Sequence, residues 1–192
     1  MGRDKTELLL GGKTFVEHAV FSMQIIAPQN VYIVGNGEKE SIGLPVLPDA
    51  IDNNARGAII GLYTALVHTK AEWTAVLACD LPFVTSELFE KLILLATEDF
   101  DAVVPIQPDG RAQPLCALYK PKFCLPFVEK MFDRNEWSLQ KLLHHLKTRY
   151  VEFAEFSNLS GSEYFFFNVN TPEEYDRAGE IENLIKRKIV IS

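Results

Sequence analysis

Three side chains in this sequence stand where they could act on a phosphate: a lysine near the start of the chain and two aspartates, Asp49 and Asp80. Each aspartate falls just past a short apolar run that reads as a strand, with glycine-marked turns between the two. A lysine beside an oxygen-ligated magnesium suits triphosphate chemistry. The cations neutralise charge on a nucleotide and on departing pyrophosphate, while the protein holds an incoming phosphate in line. Asp80 is the sharper of the two acids. Thr74-Ala75-Val76-Leu77-Ala78-Cys79 is apolar after its first residue, which predicts a central parallel strand covered on both faces. A charge cannot continue that burial, so Asp80 sits beyond the carboxyl end of the strand, where open α/β sheets place their ligands. A plain loop or capping role is the competing reading of a single strand-end aspartate.

Other chemistries lose their candidates one by one. Gly12-Lys13-Thr14 looks like the end of a P-loop, but the required first glycine falls on Glu7 and no suitable strand precedes it. His144 and His145 are adjacent on a predicted helix and point apart, and His18 and His68 have no ligand-spaced partner, so a histidine metal site is not expected. Cys79, Cys116 and Cys124 show no C-x-x-C spacing and read as reduced core thiols. No serine occupies a nucleophile elbow.

The elements that must position these residues alternate. Thr14 and Glu17 have capping-box spacing ahead of a helix whose Phe15, Ala19, Met23 and Ile26 share a face. Val31 to Val34 is a strand closed by an Asn36-Gly37 turn, and Pro45-Val46-Leu47 is a shorter strand with Asp49 two residues beyond it. Arg56 to Leu62 opens a helix reaching about Thr69, and its glycines allow a close approach of the first turn to a ligand or to the sheet. After the Asp80 strand, Pro82 ends the ladder, and Thr85 or Ser86 caps a helix through Leu88, Leu92 and Leu95. Ala102 to Val104 is another strand. This order implies a parallel sheet covered by helices.

The second part departs from the alternation. Pro105 to Gln107, the Pro108-Asp109-Gly110 turn and Pro114 to Tyr119 form a hairpin-like excursion. Helices follow over Lys122 to Asp133 and Ser138 to Leu146, then a strand over Tyr150 to Phe153. Thr171-Pro172-Glu173-Glu174 supplies a cap, a proline at the first helical position and a glutamate at capping-box spacing for the final helix. Its basic end, Lys186-Arg187-Lys188, complements the helix dipole.

With 192 residues and 47% hydrophobic content, one globular domain is expected. Nineteen Lys and Arg against 26 Asp and Glu leave a net charge of −7, which offers nucleic acid or an anionic membrane no global attraction. No apolar run approaches the length of a membrane span, so a cytoplasmic protein is expected.

MGRDK at the start, the Asp49 to Gly61 segment ending in GAIIGL, ACDLPF, PLCALY and NVNTPEEY follow one another in this order along nearly the whole chain. Together they resemble the molybdenum cofactor guanylyltransferases. The resemblance implies a Rossmann-like nucleotidyltransferase fold, three-layered, with a mostly parallel central sheet. It implies attack of the phosphate of molybdenum-loaded molybdopterin on the α-phosphate of GTP, with loss of pyrophosphate and formation of molybdopterin guanine dinucleotide. By motif, Lys5 would hold nucleotide phosphates and Asp80 would bind Mg2+ and the nucleotide, the two forming the catalytic pair. Asp49 would lie at the base or ribose. Asn168 and Asn170 would face the pterin side, although asparagines in a strand-to-helix turn are as well explained by turn structure. Other molybdenum cofactor biosynthesis proteins are the implied partners.

Members of this family place a strand and a glycine-rich L-A-G-G-x-S-x-R loop directly before M-G-x-D-K. That unit is not among these 192 residues, and the expectation is a longer protein starting upstream, a true truncation being expected to fold poorly and bind GTP weakly. CTP or a sugar phosphate in place of the expected substrates, or a nucleotide-binding domain without catalysis, are the competing functions. GAIIGL resembles the guanylyl branch more than the cytidylyl pattern.

Overall fold

A computed structural model describes residues 8–35, 43–51 and 57–191. Lys5, the Asn36-Gly37 turn and Arg56 lie outside the described residues. The chain enters through a small antiparallel hairpin, β1 (Leu9–Leu10) and β2 (Lys13–Thr14). Gly11 and Gly12 turn it at φ +58° and +88°, the left-handed values that a two-residue hairpin turn requires. Strands this short carry no periodicity, which is why the sequence did not announce them. Their presence also disposes of the P-loop look of Gly12-Lys13-Thr14, whose lysine and threonine are strand residues.

Thr14 caps α1 (Phe15–Ile26) by the expected reciprocal pair: Glu17 N donates to Thr14 Oγ1 at 3.2 Å and Thr14 N donates to Glu17 Oε2 at 2.6 Å. β3 (Ile33–Val34) and β4 (Val46–Leu47) pair in parallel, and α2 (Ala58–His68) leads to β5 (Thr74–Leu77). Then come α3 (Ser86–Leu94), β6 (Ala102–Pro105), β7 (Cys116–Tyr119), α4 (Pro121–Asp133), α5 (Leu139–His145) and β8 (Thr148–Val151). A short α6 (Phe153–Phe156) and a 3-10 turn at Ser162–Tyr164 precede α7 (Pro172–Ile191).

The larger sheet has the order β5-β7-β6-β8. β7 is antiparallel to both neighbours and β8 is parallel to β6, so β5, β6 and β8 run the same way with one reversed strand among them. The reversal comes from the excursion around Pro108-Asp109-Gly110, which turns the chain back so that β7 enters between β5 and β6. The expectation of a central, parallel Asp80 strand is thereby corrected. Among the described residues β5 is an edge strand of this sheet, paired antiparallel with β7, and its four residues are only half-buried.

Alternation along β6 and β7 builds the three layers. Ala102, Val104, Ala117 and Tyr119 face α2, α4 and α5 through Ile59, Leu62, Leu66, Val128, Met131, Leu142 and Leu143. Val103, Cys116 and Leu118 face the opposite way, onto α3 and α6 through Leu88, Phe89, Leu92 and Phe156. Both strands are therefore buried on both sides, as a continuous apolar run requires. Truncating a side chain such as the fully buried Phe89 to alanine would cost about 3–5 kcal/mol.

Candidate functional site

Ala78 N donates to Leu115 O at 2.7 Å, the last bond between β5 and its neighbour. Leu81 N then reaches back to Ala78 O at 3.3 Å, closing a turn with Cys79 and Asp80 at its corner. Buried Leu81, Phe83 and Val84 anchor the far side of that turn, leaving Asp80 half-buried at the edge of the sheet.

The same turn carries the contact that assembles the site. The Asp80 carbonyl accepts a hydrogen bond from Val169 N at 3.2 Å, joining the ACDLPF and NVNTPEEY segments. Phe83 and Val169 share one buried cluster with Leu10, Phe15, Ala178 and Ile181. The ring of Phe83 also lies 6.4 Å from that of Tyr164 and 6.3 Å from that of Phe167. Asn168 and Asn170 are exposed on either side of buried Val169.

Their turn is fixed from the helix side as well. Glu174 Oε2 accepts from Asn170 N at 2.6 Å and from Thr171 N at 2.9 Å, and Glu174 N donates to Thr171 Oγ1 at 3.2 Å. Hydrogen bonds from its own backbone and then from Thr171 hold the Glu173 carboxyl below its ordinary value. The start of α7 is thus occupied by its own carboxylates.

The loop that carries Asp49 is held by another route. Ala50 N donates to Thr64 Oγ1 at 3.0 Å, and that hydroxyl donates on to Ile60 O at 2.9 Å, so a fully buried threonine of α2 pins the loop holding Asp49. Val46 and Cys79 both pack on the cluster of Val16, Val20 and Ile33, which sets the end of β4 beside the Asp80 turn. Thr64 escaped the sequence reading, although a threonine inside the apolar run Ala58 to Leu66 was a usable signal. The glycines before it act differently from expectation. Gly57 is needed for its φ of +93° at the helix start, whereas a Cβ on Gly61 would meet nothing within 4 Å.

The histidines and cysteines set aside above have their own local surroundings. His18 bonds Leu10 O and His68 bonds Thr64 O, each at 2.9 Å, and His145 stacks on Phe127. Burial pushes the Cys116 thiol far up and the Cys124 thiol to about 12, so neither is a nucleophile at neutral pH. No group of three His, Cys, Asp or Glu among the described residues could by itself hold a metal ion. A magnesium ion still fits the donor set, because it is commonly held by one or two carboxylates with substrate phosphates and water completing the shell. Asp80, a hard oxygen donor at the sheet edge, is of that kind.

Strand ends, helix-covered sheet and paired acid-bearing turns define the class: this is an α/β nucleotidyltransferase fold, with the candidate site at the carboxyl ends of β4 and β5. Residues 1–150 match the model of the MobA-like NTP transferase domain, and the chain belongs to that family of nucleotidyltransferase enzymes. A probable molybdenum cofactor guanylyltransferase of Geobacillus sp. (strain WCH70) is 31% identical over 180 residues, covering 91% of this chain and 89% of the relative. Another, from Carboxydothermus hydrogenoformans, is 29% identical and covers 96% and 91%. Among solved structures, molybdopterin-guanine dinucleotide biosynthesis protein A of Archaeoglobus fulgidus superimposes with a TM-score of 0.77 at 26% identity, covering 95% of this chain and 92% of its own. The 2-C-methyl-D-erythritol 4-phosphate cytidylyltransferase of Thermus thermophilus, with a TM-score of 0.67 at 15% identity over 93% and 94%, shares the fold alone.

Proposed function

We infer that this enzyme transfers GMP from GTP to the phosphate of molybdenum-loaded molybdopterin. An acceptor phosphate oxygen forms a bond to the α-phosphorus, the bond from that phosphorus to the bridging oxygen breaks, and pyrophosphate leaves with the electron pair. The observation that supports the reading is the hydrogen bond from Val169 N to the Asp80 carbonyl, which joins the turn that carries Asp80 to the segment that carries Asn168 and Asn170. The names of the bacterial relatives and of the archaeal structure support the guanylyl and molybdopterin halves of the reaction.

In this reading Asp80 would hold Mg2+, which when bound would supply neutralisation of phosphate charge. Asp49, on the loop pinned by Thr64, meets the base or ribose. Asn168 and Asn170 hydrogen-bond the acceptor. Lys5 neutralises the phosphates. Most of the rate enhancement then comes from positioning and charge stabilisation, as phosphoryl chemistry allows. No helix among the described residues is long and apolar enough to cross a membrane.

Asp80→Asn tests the reading. Its far-UV circular dichroism and thermal midpoint should match the parent, while magnesium-dependent formation of the guanine dinucleotide falls at least about a hundredfold. Unchanged turnover would sink the mechanism. Running GTP and CTP side by side on the parent checks the base, since a preference for CTP would move the enzyme to the cytidylyl branch.

A further inference from the structure

Ser22 is a polar side chain in an apolar place. It is only 7% exposed, on a helix whose other buried residues are Phe15, Val16, Ala19 and Val20. A buried hydroxyl costs stability unless it is hydrogen-bonded, and a serine inside a helix commonly turns back to the carbonyl four residues before it. Ser22 Oγ instead donates to Val84 O at 2.7 Å, across 62 positions of sequence.

Val84 ends the turn that carries Asp80. Leu81 N donates to Ala78 O and Val84 N donates to Leu81 O, each at 3.3 Å, so two linked turns lead from Asp80 to Val84. Both bonds are long, and the segment depends on what holds it from outside. Thr85, the next residue, begins α3 with no side-chain cap bond, and its Oγ1 is buried without a partner among the described residues. The passage from the Asp80 turn into α3 is thus fixed by a hydroxyl of α1 rather than by its own cap.

The same helix meets the chain on both sides of Asp80. Before it, Cys79 packs on the cluster of Val16, Val20 and Ile33; after it, Phe83 shares a buried cluster with Phe15. Ser22 adds direction to these apolar contacts, because a hydrogen bond fixes orientation and hydrophobic burial does not. The register of α1 is itself set. His18, four residues before Ser22 and so on the same face, bonds Leu10 O through Nε2 at 2.9 Å, and since a carbonyl only accepts, that nitrogen carries the proton. Tyr175 of α7 donates to Leu9 O at 2.5 Å and holds the same strand. One face of α1 therefore ties the β1 strand and the Asp80 turn together.

Resting on the transfer reaction inferred above, we propose that Ser22 is a positioning residue for Asp80. Its hydroxyl, through the Val84 carbonyl, sets where the Asp80 carboxylate stands at the end of β5 relative to the nucleotide phosphates. It acts through that turn rather than on substrate. Misplacing a reacting group by about 1 Å can cost about a hundredfold in rate, so a bond this far from the chemistry still reaches it. The two acid-bearing segments are then built alike, since a buried hydroxyl of α2, that of Thr64, holds the Asp49 loop.

Ser22→Ala removes the donor and leaves a good helix former in place. In the full chain, hydrogen exchange at the Leu81 and Val84 amides should quicken about tenfold, with Val103 of the doubly paired β6 changing less than about threefold. Calorimetric affinity for GTP with Mg2+ should fall about fivefold, and kcat for transfer about tenfold, with the KM for the molybdopterin acceptor within about twofold of the parent. Ser22→Cys, near in size and a weaker donor, should fall between parent and Ser22→Ala in each readout, and it carries the test if the alanine variant does not fold. One common factor at Leu81, Val84 and Val103 would mean a merely structural role and overturn the proposal. So would faster exchange at the turn with GTP affinity and kcat both unchanged. A parent that binds GTP and transfers nothing to molybdopterin overturns the transfer reading instead, and the exchange rates with the GTP affinity then decide Ser22 by themselves. A parent that binds neither GTP nor CTP overturns both.

Discussion

Lys120 shows how a single residue is held by its surroundings far from the phosphate site. Its side chain is 3% exposed at the carboxyl end of β7, 3.1 Å from Glu98 and 3.5 Å from Glu72, with the ring of Trp73 4.9 Å from Nζ. Burial by itself would lower its pKa, but the hydrogen bond and charge of Glu98, followed by those of Glu72, outweigh that and raise it. The hydrogen bond from Lys120, then its charge, lowers Glu98. The signs define a window. A depressed carboxylate adds stability above its unfolded value, lost as pH falls through the folded one. A raised ammonium adds stability below its unfolded value, lost as pH rises through the folded one. The stability lost in Glu98→Gln should therefore be present at neutral pH and shrink toward zero by about pH 3. Urea midpoints of parent and variant at the two pH values check it. Since Glu98 is exposed, the difference will be small and sensitive to salt.

Three threonines at helix starts behave in different ways, and the difference belongs to the elements. Thr14 and Thr171 each complete a capping box with a glutamate three residues on. Thr85 begins α3 but makes no side-chain cap bond, and its Oγ1 is buried without a partner. Thr171→Ala should cost about 1 kcal/mol and lower the thermal midpoint by about 2–4 °C. Thr85→Val, which removes a buried hydroxyl while keeping the shape, should be neutral or stabilising. Calorimetry of the two variants beside the parent separates them, and equal losses would contradict the structure. Thr171 carries more than stability, because its glutamate partner also fixes Asn170.

At the scale of the whole molecule, the sheet is divided among the described residues. β3 and β4 form their own parallel pair, tied to the larger sheet by Cys79, which packs on the cluster of Val16, Val20 and Ile33, and by α2, which touches both β3 and β5. With Ala78 N turned toward Leu115, alternation turns Val76 N toward β7 and the amides of Ala75 and Leu77 away from it. Native-state hydrogen exchange should therefore be roughly a hundredfold or more faster at Ala75 and Leu77 than at Val103 and Ala117, which lie in strands paired on both sides. Equal protection at all four would place a partner strand against β5. The net charge of −7 leaves attraction of a phosphate-bearing substrate to local groups at the sheet edge.

Features set by neighbours within about four residues were legible from the order of amino acids. The capping boxes at Thr14 and Thr171, the end of a strand at Asp80 and the two-faced burial of β6 are of this kind, because helix caps and side-chain alternation depend on local spacing. The class of chemistry came instead from the resemblance of several motifs in one order along the chain, with which the strand-end position of Asp80 agrees. The placement of β7 between β5 and β6 was not legible, and neither was the edge position of β5. A period of two is the same in parallel and antiparallel strands and says nothing about which edges meet. The bond from Val169 to Asp80, the support of the Asp49 loop by Thr64 and the bond from Ser22 to Val84 likewise join segments apart in the chain. Only the packing of helices on both faces of the sheet brings them together, because each is stabilised by burial of surfaces that no local window contains.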